Sequence, residues 1–227
     1  VSRAQADALV SQLLARLPKS PAGAVCPALP PVAEVPALDR AQDINLPFDS
    51  AQAHVLIGQP GFKRDDPDFF ALTVGNYILG GGGFVSRLTE EVREKRGLAY
   101  SVYSYFMPMA ELGPFQVGLQ TKKDQAEDAL KLVRETLDKF IQKGVTEAEL
   151  KAAKANIIGG FPMRIDSNGK ILDYLAVIGF YKLPLNYLDA YNSNVDKVTV
   201  AQIKDAFSRR LKPENFVTVI VGDPNAK

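Results

Sequence analysis

Leu79-Gly-Gly-Gly-Gly83-Phe-Val-Ser-Arg-Leu-Thr-Glu-Glu-Val-Arg93-Glu-Lys-Arg-Gly-Leu-Ala-Tyr100-Ser-Val-Tyr-Ser-Tyr105 reads as a glycine loop, one short helix and one strand. Gly80, Gly81, Gly82 and Gly83 have no side chain to pack, so an ordered run of them costs backbone entropy. Such a run is used where other atoms approach the main chain closely, and something is expected to lie against this loop. From Phe84 the spacing turns helical: Phe84, Leu88 and Val92 recur every fourth position, leaving Arg87, Glu90, Glu91, Glu94 and Lys95 to face water. Gly97 supplies the positive φ that ends a helix, with Leu98 for the accompanying hydrophobic contact, so the helix should stop near Arg96. The run from Ala99 to Phe106 mixes aromatic with small or hydroxylated residues, as in a strand that packs one face and presents hydroxyls on the other. Arg93, in the last helical turn, and Tyr100, early in the strand, then point toward a common space.

Working outward, Asp66 fits an N-cap and Pro67 the first position of a helix through Phe69, Leu72, Thr73, Asn76, Tyr77 and Leu79. Before it, Asp43 to Phe48 and Ala51 to Gly58 are short strand candidates. Downstream, Phe115, Val117, Leu119 and Thr121 alternate as a half-buried strand, predicted to pair antiparallel with Tyr100 to Phe106. Ala126 to Ile141 carries a strong helical stripe ended by Gly144, and Thr146 with Glu149 forms a capping box for the next helix. Further helices follow over Lys170 to Tyr181, Asn186 to Ser193 and beyond Thr199. The β-branched run Phe216 to Val221 reads as a central strand covered on both faces. Together these indicate an α+β fold, a mostly antiparallel sheet with helices packed on one face.

The N-terminal part reads differently. Ser2 and Gln5 cap a helix whose stripe is Ala6, Leu9, Leu13 and Leu17, and Pro18 to Leu38 is proline-rich. The predicted organisation is residues 1–17 as the last helix of a preceding domain, 18–43 as a linker, and 44–227 as the domain proper, expected to fold without the first 43 residues.

With 227 residues, 46% hydrophobic, and a net charge of +1, the chain carries an ordinary buried core and lacks the charge footprint of a nucleic-acid binder. Peptides, proteins or small molecules are the expected partners. No apolar run reaches the roughly 20 residues of a membrane span; a soluble protein is expected, cytoplasmic or periplasmic in a bacterium. One cysteine, Cys26, and one histidine, His54, cannot make H-E-x-x-H or H-x-x-E-H, so the chain is expected to hold no metal and to be proteolytically silent alone. His54 reads as a structural strand histidine. The glycine run lacks the lysine and hydroxyl of a P-loop, which leaves a phosphate cradle, a flexible loop and a peptide-approach loop as readings. On spacing alone, Arg93 among Glu90 and Glu94 fits a solvated face as well as a site, and Tyr100 fits a core aromatic beside Tyr103 and Tyr105.

The glycine run followed by Phe84-Val-Ser-Arg-Leu88, the segment from Val92 to Tyr103, Gly144-Val-Thr-Glu-Ala-Glu-Leu150, Leu183-Pro-Leu-Asn-Tyr187 and the closing Val217 to Asp223 resemble the second domain of the pitrilysin-type (M16) zinc peptidases, which include the mitochondrial processing peptidases. The resemblance covers nearly everything from Ala51 to Asp223 and implies the α+β domain of LuxS- and processing-peptidase-like metallohydrolases. It implies two such domains in succession, halves facing each other as a dimer-like clamshell around a peptide, and Zn²⁺ held by an H-x-x-E-H domain that this chain does not contain. The family's second domain contributes an arginine and a tyrosine seven residues apart, which carries over to Arg93 for substrate binding and Tyr100 for catalysis. Gly80, Gly81, Gly82 and Gly83 resemble the substrate-touching loop of the non-catalytic processing subunit. A structural, non-catalytic subunit of the same fold is the competing implication; the presence of both Arg93 and Tyr100 favours a parent that cleaves peptides.

Overall fold

The alternation through Phe115, Val117, Leu119 and Thr121 becomes strand β4 (Pro114–Lys122) in a computed structural model that describes residues 1–17 and 30–222. β4 pairs antiparallel with β2 (Gln52–Pro60) on one side and with β3 (Ser101–Phe106) on the other. β5 (Val217–Val221) pairs antiparallel with the far side of β2 and parallel with β1 (Gln42–Leu46), giving a five-stranded sheet ordered β1-β5-β2-β4-β3. β5 is central, as its β-branched run predicts. Only one of its faces is closed, which corrects the doubly covered reading: Thr218 and Ile220 are buried while Val217, Val219 and Val221 on the other face stay half-buried.

The chain divides into two units, Val1–Val32 and Ala33–Lys227. The first contains α1 (Arg3–Arg16), opened by the capping box in which Ser2 Oγ accepts from Gln5 N–H and Gln5 Oε1 accepts from Ser2 N–H. Cys26 and the prolines from Pro18 to Pro27 lie outside the described residues. In the second unit the chain is tied down before β1: Asn215 Nδ2 donates to Leu38 O at 2.9 Å, and Lys63 pairs with both Glu34 and Glu111.

Six α-helices belong to the second unit among the described residues: α2 (Phe69–Asn76), α3 (Ala126–Lys143), α4 (Glu147–Gly160), α5 (Asn168–Phe180), α6 (Tyr187–Asp196) and α7 (Val200–Arg210). Their ends follow local chemistry. Thr146 with Glu149 and Thr199 with Gln202 form complete capping boxes, and Gly144 ends α3 at φ +72°. The α2 start falls two residues later than read from Pro67, because Asp66 caps a preceding turn, its Oδ1 accepting from Asp68 N–H at 2.9 Å. Arg210 bridges Asp66 and Asp68 at 2.7 and 2.9 Å, and Arg209 reaches Asp68 at 3.0 Å, so that turn is held against the end of α7.

Ala53, Val55 and Ile57 of β2 and Phe115, Val117 and Leu119 of β4 present one face of the sheet to the core. Phe207 of α7 stands at its centre, with ring centroids 4.8 Å from Phe140 of α3 and 5.9 Å from Phe106 of β3. Helix α2 approaches α7 closely enough that a Cβ at Gly75 would lie 2.4 Å from Phe207 Cε2.

Candidate functional site

Helix α2 does not stop at Asn76 but runs into a π-helical turn over Tyr77–Gly81, the kind of insertion found where a helix is re-aimed near a site. Gly80 is buried there, and a Cβ on it would lie 2.4 Å from Ser104 Oγ and 2.6 Å from Ser104 N. What lies against the loop at this point is the chain's own strand β3. Gly83 has φ +62° with no atom within 4 Å of its Cβ direction, so its requirement is backbone conformation rather than space. Gly80, Gly81 and Gly83 line a cleft, while Gly82 packs toward Tyr77 O, 2.7 Å from its Cβ position.

After a 3₁₀ turn over Gly83–Val85, Ser86 is extended (φ −85°, ψ 150°) and fully buried, its Oγ donating to Gly83 O at 2.8 Å. The helix therefore begins at Arg87, out of phase with Phe84. The predicted stripe is corrected accordingly: Leu88 and Val92 are buried, whereas Phe84 is 69% exposed. Arg87 does not face water either. Its Nε and Nη2 donate to Glu149 at 2.7 and 2.8 Å, Nη2 donates also to Gly144 O at 2.9 Å, and its Cζ sits 5.0 Å from the Phe140 ring centroid. This fork fastens the site helix to the start of α4.

The Arg87 hydrogen bonds, aided by Thr146, hold the Glu149 carboxyl at about 2, down from an ordinary 4.5. Folding lowers this pKa, so the stabilisation is complete above about pH 5 and is lost as pH falls toward 2. Between pH 6 and pH 3, urea unfolding of the native chain should lose about 1 kcal/mol more than that of Glu149→Gln, after discounting for solvent screening. Parallel losses in the two proteins would show that the pair contributes nothing.

The helix ends as its sequence predicts. Gly97 (φ +64°) donates to Arg93 O at 2.9 Å, the bond of an αL stop, and Leu98 donates to Val92 O at 2.9 Å, a wider bond that follows from the π-helical turns over Thr89–Glu94. Strand β3 corrects the predicted faces: Val102 and Ser104 turn inward, and Tyr103 and Tyr105 turn outward, stacked at 6.1 Å. The small residues pack because Gly80 and Leu88 crowd that side of the strand.

The structure brings Arg93 and Tyr100 together. The Arg93 Cζ lies 4.6 Å from the Phe84 ring centroid and 5.0 Å from that of Tyr100, so the guanidinium is within cation–π reach of both rings. Its Nε lies 3.4 Å from Glu94 Oε1. Tyr100 is 83% exposed, and its hydroxyl has no hydrogen-bond partner among the described residues. Both residues, with three of the glycines and β3, line a cleft of 550 Å³.

Several lining residues were missed by sequence reasoning. Asn76 Nδ2 donates to Ser104 O at 3.0 Å, and Asn76 Oδ1 accepts from Ser104 Oγ at 2.7 Å, binding the π turn to β3. The available signal was a polar asparagine on the apolar stripe of α2. Phe84 gave none, since its spacing matched a core position.

The residues do not fit a zinc centre: among the described residues no group of histidine, cysteine and carboxylate side chains could hold a metal ion. His54 lies on the outer face of β2 with Nδ1 3.3 Å from Gln120 Nε2, its cross-strand neighbour. No helix among the described residues is long and apolar enough to cross a membrane.

A mixed sheet with helices on one face, joined to a glycine loop, a glycine-ended helix and an arginine–tyrosine pair, defines an M16-type α+β domain, with no metal-binding group among the described residues. The family model described as peptidase M16 inactive domain matches residues 1–157, and the chain belongs to that family. The "Uncharacterized zinc protease SCO5738" of Streptomyces coelicolor is 42% identical over 122 residues, 54% of this chain and 26% of that protein. The "Non-peptidase homolog YmxG" of Helicobacter pylori is 33% identical over 190 residues, 82% of this chain and 43% of that protein. The crystal structure of a peptidase M16 inactive domain from Pseudomonas fluorescens superposes with a TM-score of 0.89 at 40% identity, covering 100% of this chain and 52% of that one. The chain thus spans less than half the length of these curated relatives.

Proposed function

We propose that this domain is the non-metal half of a peptide-cleaving site, holding a peptide while a separate H-x-x-E-H domain supplies Zn²⁺. The observation that carries the reading is the Phe84–Arg93–Tyr100 stack on a cleft lined by the glycine loop and β3. Arg93 is held by two rings, whose faces accept none of its N–H groups, which leaves N–H groups for a substrate backbone carbonyl or carboxylate. Tyr100 offers an unpartnered phenol to the scissile carbonyl as it becomes an oxyanion. Gly80, Gly81 and Gly83 let a peptide approach the main chain at the rim, with Gly82 completing the loop. The working unit is a dimer of M16 halves, one bearing the metal and one bearing Arg93 and Tyr100.

With the metal-bearing half present and an unstructured fluorogenic peptide as substrate, Arg93→Ala should raise KM about tenfold, the worth of one charge-assisted hydrogen bond, with kcat changed less. An unchanged KM would remove Arg93 from substrate binding. A second reading, a non-catalytic subunit of the same fold, draws on the name of the Helicobacter pylori relative. It predicts that this chain stabilises its partner while Arg93→Ala leaves turnover unaffected.

A further inference from the structure

A second recess, of 250 Å³, opens beside the Arg93–Tyr100 cleft and shares Asn76 and Tyr105 with it. Its charged groups are all of one sign. Arg64, from the loop before α2, and Arg164, from the turn after α4, line it together with the phenols of Tyr174, Tyr187 and Tyr191. Nearby cations are paired: Lys63 with Glu34 and Glu111, Arg209 and Arg210 with Asp66 and Asp68. Among the described residues Arg64 and Arg164 make no ion pair at all.

Arg64 is held by rings instead, its Cζ 4.8 Å from the Phe69 centroid, 5.8 Å from Tyr181 and 5.9 Å from Tyr187. Ring faces attract the cation but accept none of its in-plane N–H groups. Arg64 Nη2 reaches the Tyr187 hydroxyl only at 3.4 Å, and Arg64 Nε is buried with no acceptor among the described residues. A desolvated donor left unpaired costs free energy that an incoming acceptor recovers. Both guanidinium charges also act on the Tyr191 phenol, opposing the upward push of its burial, which places the two arginines around one spot.

We infer that this recess binds a carboxylate, presented by an acidic side chain of a peptide whose main chain lies in the adjoining cleft. Two guanidinium forks supply donors only, and each phenol can add an O–H donor, which suits a group that is all acceptor. The aromatic walls of Phe62 and Phe69 suit the methylene stem of such a side chain, and the volume suits one residue. This rests on reading the adjoining cleft as a peptide site, but it concerns binding and needs no cleavage.

The test is calorimetric titration of the full chain with three peptides of about ten residues, built from otherwise uncharged residues and end-blocked except where stated. One carries a single internal Glu, one carries Gln in its place, and one is the Gln peptide with a free C-terminal acid. The Glu peptide should bind about tenfold more tightly than the Gln peptide, the ratio expected of one charge-assisted hydrogen bond. That ratio should collapse in Arg64→Gln and in Arg164→Gln; the latter replaces an exposed side chain and is not expected to disturb folding. Arg93→Ala should weaken both peptides alike and preserve the ratio. Loss of the Arg93 effect with the ratio intact would count against the proposed function and leave the recess standing. Equal binding of Glu and Gln peptides, a ratio that survives both arginine variants, or no binding of any peptide would overturn the inference. A gain confined to the free-acid peptide would assign the carboxylate to a chain end and overturn the side-chain assignment.

Discussion

Tyr100→Phe, measured with the metal-bearing half present, is expected to lower kcat by about 10²–10³ while changing KM little. This is the loss typical of removing one donor to a developing oxyanion. The substitution is clean because it deletes only the hydroxyl. The ring that stacks on Arg93 at 5.0 Å remains, and the hydroxyl makes no hydrogen bond among the described residues whose loss could disturb the fold. Thermal stability should therefore match the native protein. A strand aromatic without a catalytic part would give native kinetics in Tyr100→Phe, and that result would leave this domain as a substrate wall or an assembly surface.

Phe207→Ala should destabilise the domain by about 3–5 kcal/mol, read as a lower urea midpoint with an unchanged slope. Phe207 is completely buried where α7, α3, β3 and α2 converge, with Phe140 and Phe106 on two sides and Gly75 on a third. Those rings cannot close over the vacated volume without moving the helices that carry them, so the cavity adds to the lost transfer free energy. A cost near 1 kcal/mol would mean that the site collapses easily and that α2, which carries the π turn, is not braced there.

Which features were legible in the sequence depends on how local their causes are. Gly97, Gly144 and the three capping boxes act within a few residues, and each stands in the structure where its residues predict. The β3–β4 pairing follows from alternation and a short connection, whereas β2 reaches β4 only across α2 and the glycine loop. The parallel β1–β5 pairing does not follow either, since its partners are separated by most of the domain. Phe84 deceived the helical reading because an apolar residue at a four-residue spacing looks the same whether it enters a core or leans on an arginine. Arg87 deceived it in the opposite sense, for its partner Glu149 lies far along the chain. Arg93 and Tyr100 were legible as neighbours through the Gly97 stop between them. Arg64 and Arg164 were not, because only the tertiary fold brings the two arginines to one recess while Asp66 and Asp68 turn to α7.

The position of β5 also has a consequence for biosynthesis. Val217–Val221 fills the gap between β1 and β2, strands made some 160 residues earlier, so neither can complete its pairing until nearly the whole domain has been synthesised. Until then the β2 edge and the apolar side chains behind it stand open, at a stage when nascent chains are most prone to aggregate. The sheet closes from its middle, and a chain that stops just before Val217 carries all seven α-helices named above but no strand for β1 to join.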